Sequence, residues 1–159
     1  MDDLAAAHDE AGVIRSRTTF DDLITSEITS GVPSNRIVLG GFSQGGAMSI
    51  FTGLTTTHKL GGLFGLSAYL LLDDKIQDIA EQAGNVNKDT PWFMGHGDAD
   101  PLVKYEWGKA SAKALREKMA IKDLEFKTYP DLVHSAEPAE IDDLEAFLNK
   151  CIPDEHGAA

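Results

Sequence analysis

The sequence predicts an α/β fold in a single domain, a mainly parallel sheet with helices on both faces. Three observations carry that expectation. Short apolar runs, the pattern of strands buried on both faces, recur at residues 36–40, 60–66 and 91–96. Segments with apolar residues at helical spacing lie among them. A glycine-rich turn at 40–46 joins the first run directly to a helix-compatible stretch, making a strand–turn–helix unit.

Taken in order, residues 19–30 place Phe20, Leu23, Ile24 and Ile28 on one helical face, with Asp21 and Asp22 in the first turn where the helix dipole favours acids. Gly31 and Pro33 end that helix. Residues 1–18, with Ala5 to Ala7 and a charged stretch to Arg17, read as helical or loose rather than as a strand. A strand at 36–40 is followed by a helix from about Gln44 to Thr55, then by strands at 60–66 and 91–96. Trp107, Ala110, Ala114 and Leu115 mark a helix over 104–119, and residues 124–129 alternate as a strand. Ile141, Leu144, Phe147, Leu148 and Ile152 form a closing helix, and residues 154–159 read as a disordered tail. Met48 and Trp92 read as core.

Composition narrows the function classes. The chain has 159 residues, 42% hydrophobic and 25% charged, which is ordinary for a globular domain. No stretch approaches the roughly 20 uninterrupted apolar residues of a membrane span, and Met1-Asp2-Asp3 begins no secretory signal. The expectation is a cytoplasmic protein that is not integral to a membrane. A net charge of −12 argues against nucleic acid and anionic bilayers as partners. The acidic residues gather near both ends, as a solvated surface or as a docking patch for a basic partner. One cysteine, Cys151, excludes an intramolecular disulfide and reads as a packed or free thiol.

The turn after the first strand reads Gly41-Phe42-Ser43-Gln44-Gly45, the Gly-x-Ser-x-Gly pattern of a nucleophile elbow, which nominates Ser43. Gly41 and Gly45 are expected to be small because side chains there would collide with neighbouring backbone, while Gly40 and Gly46 loosen the packing further. A serine nucleophile needs a base, and the base needs an orienting carboxylate. The loop after the 91–96 strand offers Asp98 and Asp100, and the loop after 124–129 offers His134. Spacing does not separate Asp98 from Asp100, and Asp131 is a third candidate orienter. His96, beside the acidic loop, reads as a loop-ordering hydrogen bonder or a second base. No metal is expected, since His8, His58, His96 and His156 stand at no His-x3-His spacing, and Asp98 with Asp100 lacks further ligands. Ser67, Leu70 and Leu71 leave the second strand at the same sheet end as Ser43, where they line an acyl-chain pocket or belong to ordinary core.

Three segments together, 40–46, 95–103 and 126–134, resemble the acyl-protein thioesterases, in the phospholipase/carboxylesterase branch of the α/β-hydrolases. The similarity runs from about Asp21 to Leu148. It implies the C-terminal portion of an α/β-hydrolase fold, a triad of Ser43, Asp100 and His134, and Asp98 as the structural neighbour of the acid. It also implies an oxyanion donor in the Gln44 N–H and no cofactor. The implied substrates are acylated proteins, lysophospholipids or simple esters.

One departure stands out. Family members begin with strands and a His-Gly-x-Gly-Asp loop that supplies a second oxyanion donor, and nothing before Arg36 resembles either. The expectation is therefore a chain lacking the family's N-terminal third. Loss of one such donor costs about 2.7–4 kcal/mol of transition-state stabilisation. A rival reading follows, in which an impaired hydrolase fragment serves as a binding module. The strand at 36–40 would also present an open edge, predicting marginal stability or a homodimer through it.

Overall fold

The computed structural model describes residues 10–155. The acidic stretch before Glu10, His8, His156 and the tail residues 156–159 lie outside them. Five α-helices, one of them unanticipated, and four strands alternate along the described chain. They are α1 (Glu10–Thr29), β1 (Val38–Phe42), α2 (Gln44–Thr55), β2 (Gly62–Leu66), α3 (Ile76–Ala83), β3 (Trp92–Gly97), α4 (Tyr105–Glu117), β4 (Leu124–Tyr129) and α5 (Pro138–Cys151), with a short 3-10 turn at Ser34–Arg36 before β1.

The strands pair in parallel in chain order, β1-β2-β3-β4. Because every crossover steps the same way, a constant hand places α2, α3 and α4 on one face of the sheet. Leu39, Leu63, Trp92 and Leu124 stand in register across all four strands and join the main core, which also takes Val13 and Ile24 from α1, most of α2, and Ala112 and Leu115 from α4. The alternate residues face the other way. There Val38, Phe64, Leu66 and Phe93 pack against Phe147, Leu144 and Leu148 of α5. Helices thus cover both faces, and Met48 and Trp92 are buried.

Several boundaries differ from the sequence reading. The first helix begins at Glu10 rather than 19, because Val13 joins the core and Arg17 reaches the Thr55 carbonyl. Its Leu23, expected on the buried face, is 63% exposed. The first strand runs two residues later than expected, since residues 34–36 wind into the 3-10 turn and the Ile37 N–H bonds back to Ser34. Residues 60 and 61 precede β2, with the Leu60 N–H held by the Asn87 side chain. Helix α3 is absent from the sequence reading. Ile76, Ile79 and Ala80 do carry helical spacing, but eight residues are barely two turns. Gly84, at φ 95°, closes that helix in the left-handed region.

Cys151 lies half-buried against Gly62 of β2, and burial pushes its thiol up to about 11, as suits a packed cysteine. At the C-terminal side, Arg36 pairs with Glu155 and donates to the Pro153 carbonyl. β1 is an edge strand among the described residues.

Candidate active site

The C-terminal ends of parallel strands share one side of the sheet, so the loops after β1, β3 and β4 meet there. Ser43 occupies the turn between β1 and α2 at φ 56° and ψ −121°, a strained conformation for a residue with a side chain. Two backbone bonds hold it, Ser43 N–H to the Leu66 carbonyl at 2.8 Å and Ala47 N–H to the Ser43 carbonyl at 2.9 Å. Its hydroxyl makes no capping bond to α2 and is left for another partner.

The glycines around it divide differently from expectation. A Cβ on Gly41 would lie 2.7 Å from the Gly45 carbonyl carbon, so the requirement there holds. Gly45 itself has open space. Gly46 instead is confined, its Cβ position 2.7 Å from the Gly41 oxygen and 2.8 Å from the Ala68 methyl. Gly40 is no looser, because a Cβ there would run into the Phe64 ring. The elbow is therefore closed by Gly41 against Gly46.

The loops after β3 and β4 are tied together. Asp98 Oδ1 accepts the Asp131 N–H at 2.7 Å, and the Ala99 N–H donates to the Leu132 carbonyl at 3.1 Å. Gly97 lets Leu132 cross directly over it, where any side chain would meet the Leu132 backbone. Asp131, at φ 62°, turns the chain so that His134 comes back over Asp100.

Three side chains result in a line. His134 Nδ1 donates to Asp100 Oδ2 at 2.8 Å, and His134 Nε2 stands 3.0 Å from Ser43 Oγ. The carboxylate only accepts, so Nδ1 carries the hydrogen and Nε2 is free to accept from the serine. Asp100 Oδ1 accepts the N–H groups of Leu102 and Val103, each at 2.9 Å, which fixes the carboxylate plane. The Asp100 side chain is fully buried, while that of His134 is 14% exposed. Phe42 packs its ring 4.7 Å from the imidazole and stays 41% exposed. Of the three aspartates left open by spacing, Asp100 bonds the imidazole, and Asp98 braces the loop through the backbone of Asp131.

His96 is buried beneath this loop and donates from Nε2 to the Val103 carbonyl at 2.8 Å; burial lowers its pKa. Gln44 begins α2, where N–H groups of the first turn lack intrahelical partners and face outward from a positive dipole end. Ser67, one residue past β2 and at φ 53°, is fully buried, and its hydroxyl has no partner among the described residues. Leu70 and Leu71 are buried in the main core, with the Leu70 N–H on Ser111 Oγ at 2.9 Å. No His, Cys, Asp or Glu cluster of metal-binding form occurs among the described residues.

Sequence reasoning passed over Glu140. This α5 carboxyl is fully buried against Gly95 of β3 with no partner for either oxygen among the described residues. Burial first, then Glu137 and Asp143, push it up to about 7. Nothing in the charged pattern of 137–145 set it apart from its solvated neighbours.

A family model described as phospholipase/carboxylesterase matches residues 1–152. Acyl-protein thioesterase 1 of Emericella nidulans is 49% identical over 151 residues, covering 95% of this chain and 62% of the relative. Acyl-protein thioesterase 1 of Aspergillus fumigatus is 51% identical over 147 residues, covering 92% and 60%. The chain thus spans about three-fifths of the length of these relatives. Among solved structures, Arabidopsis thaliana SOBER1 superposes with a TM-score of 0.79 at 31% identity, over 90% of this chain and 66% of that one. Zea mays acyl-protein thioesterase 2 superposes with a TM-score of 0.77 at 25% identity, over 91% and 67%.

Proposed function

The chain belongs to the phospholipase/carboxylesterase family and has its α/β-hydrolase fold, and from that premise we propose that it is a serine hydrolase cleaving acyl esters or thioesters through Ser43, His134 and Asp100. The observation that carries this reading is the unbroken line of hydrogen bonds from Asp100 through His134 to Ser43.

In the proposed reaction Ser43 Oγ attacks the acyl carbonyl while His134 Nε2 takes its proton. Asp100 holds the Nδ1–H tautomer and stabilises the imidazolium that forms. The Gln44 N–H, directed by the start of α2, donates to the developing oxyanion. His134 then protonates the departing thiol or alcohol, and water, activated by the same imidazole, cleaves the acyl-enzyme. No step calls for a cofactor. The names of the fungal relatives support a protein S-acyl thioester as the substrate class, with lysophospholipids and simple esters as further acyl donors. Among the described residues no helix is long and apolar enough to cross a membrane, and we assign the activity to the cytoplasm.

Intact-mass analysis after reaction with a fluorophosphonate probe tests the reading. One adduct per chain is expected on the native protein and none on Ser43→Ala or His134→Ala. Labelling that survives Ser43→Ala, or a folded native protein that does not react, refutes it.

A further inference from the structure

We propose that His96 is a positioning residue that holds the Asp100 carboxylate in place for His134, and that it does so as a neutral ring. The inference rests on the hydrolase reading for its catalytic meaning, but its geometry stands independently.

A carbonyl can only accept, so the 2.8 Å contact between His96 Nε2 and the Val103 carbonyl puts the ring hydrogen on Nε2. The N–H of that same Val103 donates to Asp100 Oδ1 at 2.9 Å, and so does the N–H of Leu102. His96 therefore grips the peptide segment that grips the carboxylate. The turn from Asp100 to Val103 has no regular secondary structure of its own to hold it. Held from beneath by a fully buried ring, it has its carboxylate plane set before His134 arrives.

The other side of the ring explains why it is neutral. Nδ1 has no hydrogen-bond partner among the described residues and packs against Gly108 of α4, where a Cβ would run into the imidazole. Tyr105, also on α4, meets the ring edge-on with centroids 6.0 Å apart. A second ring proton would find no acceptor there. It would also create a cation whose Nε2 stands 3.7 Å from Asp100 Oδ2, the oxygen that His134 uses. A charged group at position 96 would compete with His134 for Asp100, whereas a neutral donor does not. Glu106 is the other acid near the ring, and its effect is smaller than that of burial.

The test compares His96→Gln with His96→Asn. A glutamine amide reaches the position of Nε2 and can donate to the Val103 carbonyl without ever becoming cationic. An asparagine amide reaches only the position of Nδ1. The low-field NMR resonance of the His134 Nδ1–H, the proton donated to Asp100, is expected to be retained in His96→Gln. In folded His96→Asn it is expected to broaden away, because the carboxylate that accepts it is no longer held in plane. Probe labelling should slow roughly 10–100-fold in the asparagine variant alone, below the ~10⁴-fold cost of losing an orienting carboxylate outright. An unchanged His134 Nδ1–H resonance in folded His96→Asn overturns the proposal, because a merely structural role would lower stability without moving that resonance.

The native protein supplies a second readout that needs neither variant to fold. Ring-nitrogen shifts of His96 should report a neutral Nε2–H tautomer at neutral pH. An Nδ1–H tautomer, or a doubly protonated ring at neutral pH, overturns the proposal. Failure of the native protein to react with the probe refutes the hydrolase reading alone, since both NMR readouts are independent of turnover.

Discussion

Replacing Glu140 with glutamine should make the protein more stable at alkaline pH and leave the acid end nearly unaffected. Glu140 is fully buried, and neither carboxylate oxygen has a partner among the described residues. The groups around it offer no compensation. Glu137 at the N-cap of its helix and Asp143 within it repel its charge, Gly95 of β3 is apolar, and the Tyr129 hydroxyl of β4 is already committed to Asp143 at 2.7 Å. Burial and repulsion raise the carboxyl from its ordinary 4.5 to about 7. The native state therefore holds a proton that the unfolded chain releases, so stability is greatest below the unfolded value and falls as pH rises towards the folded one. At about 1.4 kcal/mol per pH unit of difference, the loss reaches ~3 kcal/mol by pH 8, of which roughly 2–3 kcal/mol develops above pH 5.

Glutamine has the same shape and no charge to release. Its own burial cost does not vary with pH, so the difference between the two proteins isolates the ionisation. Urea titrations at pH 5, 6, 7 and 8 measure it. Expected is a gap that moves by about 2–3 kcal/mol in favour of Glu140→Gln between the ends of that range. Parallel curves across the range refute the reasoning, since they would mean that Glu140 ionises in the native state as readily as in the unfolded chain.

Gly46→Ala should cost about 1–3 kcal/mol by overpacking against Gly41 and Ala68, whereas Gly45→Ala, with open space and a helical backbone, should be neutral or gain up to about 1 kcal/mol; chemical denaturation of the pair checks both. Ala120 follows α4 at φ 55°, and the Ile121 N–H reaches back to the Leu115 carbonyl, a helix ending that favours glycine. Ala120→Gly should add about 1 kcal/mol by relieving the left-handed strain, visible as a higher denaturation midpoint. The outer side of β1, unpaired by any strand among the described residues, predicts concentration-dependent self-association in native mass spectrometry, and a monomer at every concentration contradicts it.

The sequence carried the grammar of this fold. Buried runs, helical spacing and a glycine turn placed β4 and α2 at their observed limits, and located Ser43, Asp100 and His134 on loops after strands, because each of those signals is local to a few residues. Boundaries failed where tertiary contacts extended or shortened an element, as Val13 did for α1 and the 3-10 turn did for β1.

What only the tertiary structure decided is how residues far apart in the chain meet. Spacing alone left Asp98, Asp100 and Asp131 as rivals, a choice that the family resemblance had to make. In the structure the crossing of the β3 and β4 loops sets Asp100 against His134, with Asp98 and Asp131 bonded to each other across the crossing. Gly46 rather than Gly45 closes the elbow because its neighbours are Gly41 and the Ala68 methyl beyond β2. Glu140 looks like any acid of a solvated helix until α5 lies on Gly95, and only then does its charge become costly. A sequence determines which side of its own strand or helix a residue occupies. Burial, hydrogen-bond partners and charge are properties of what arrives on that side, and register and loop crossing decide what arrives.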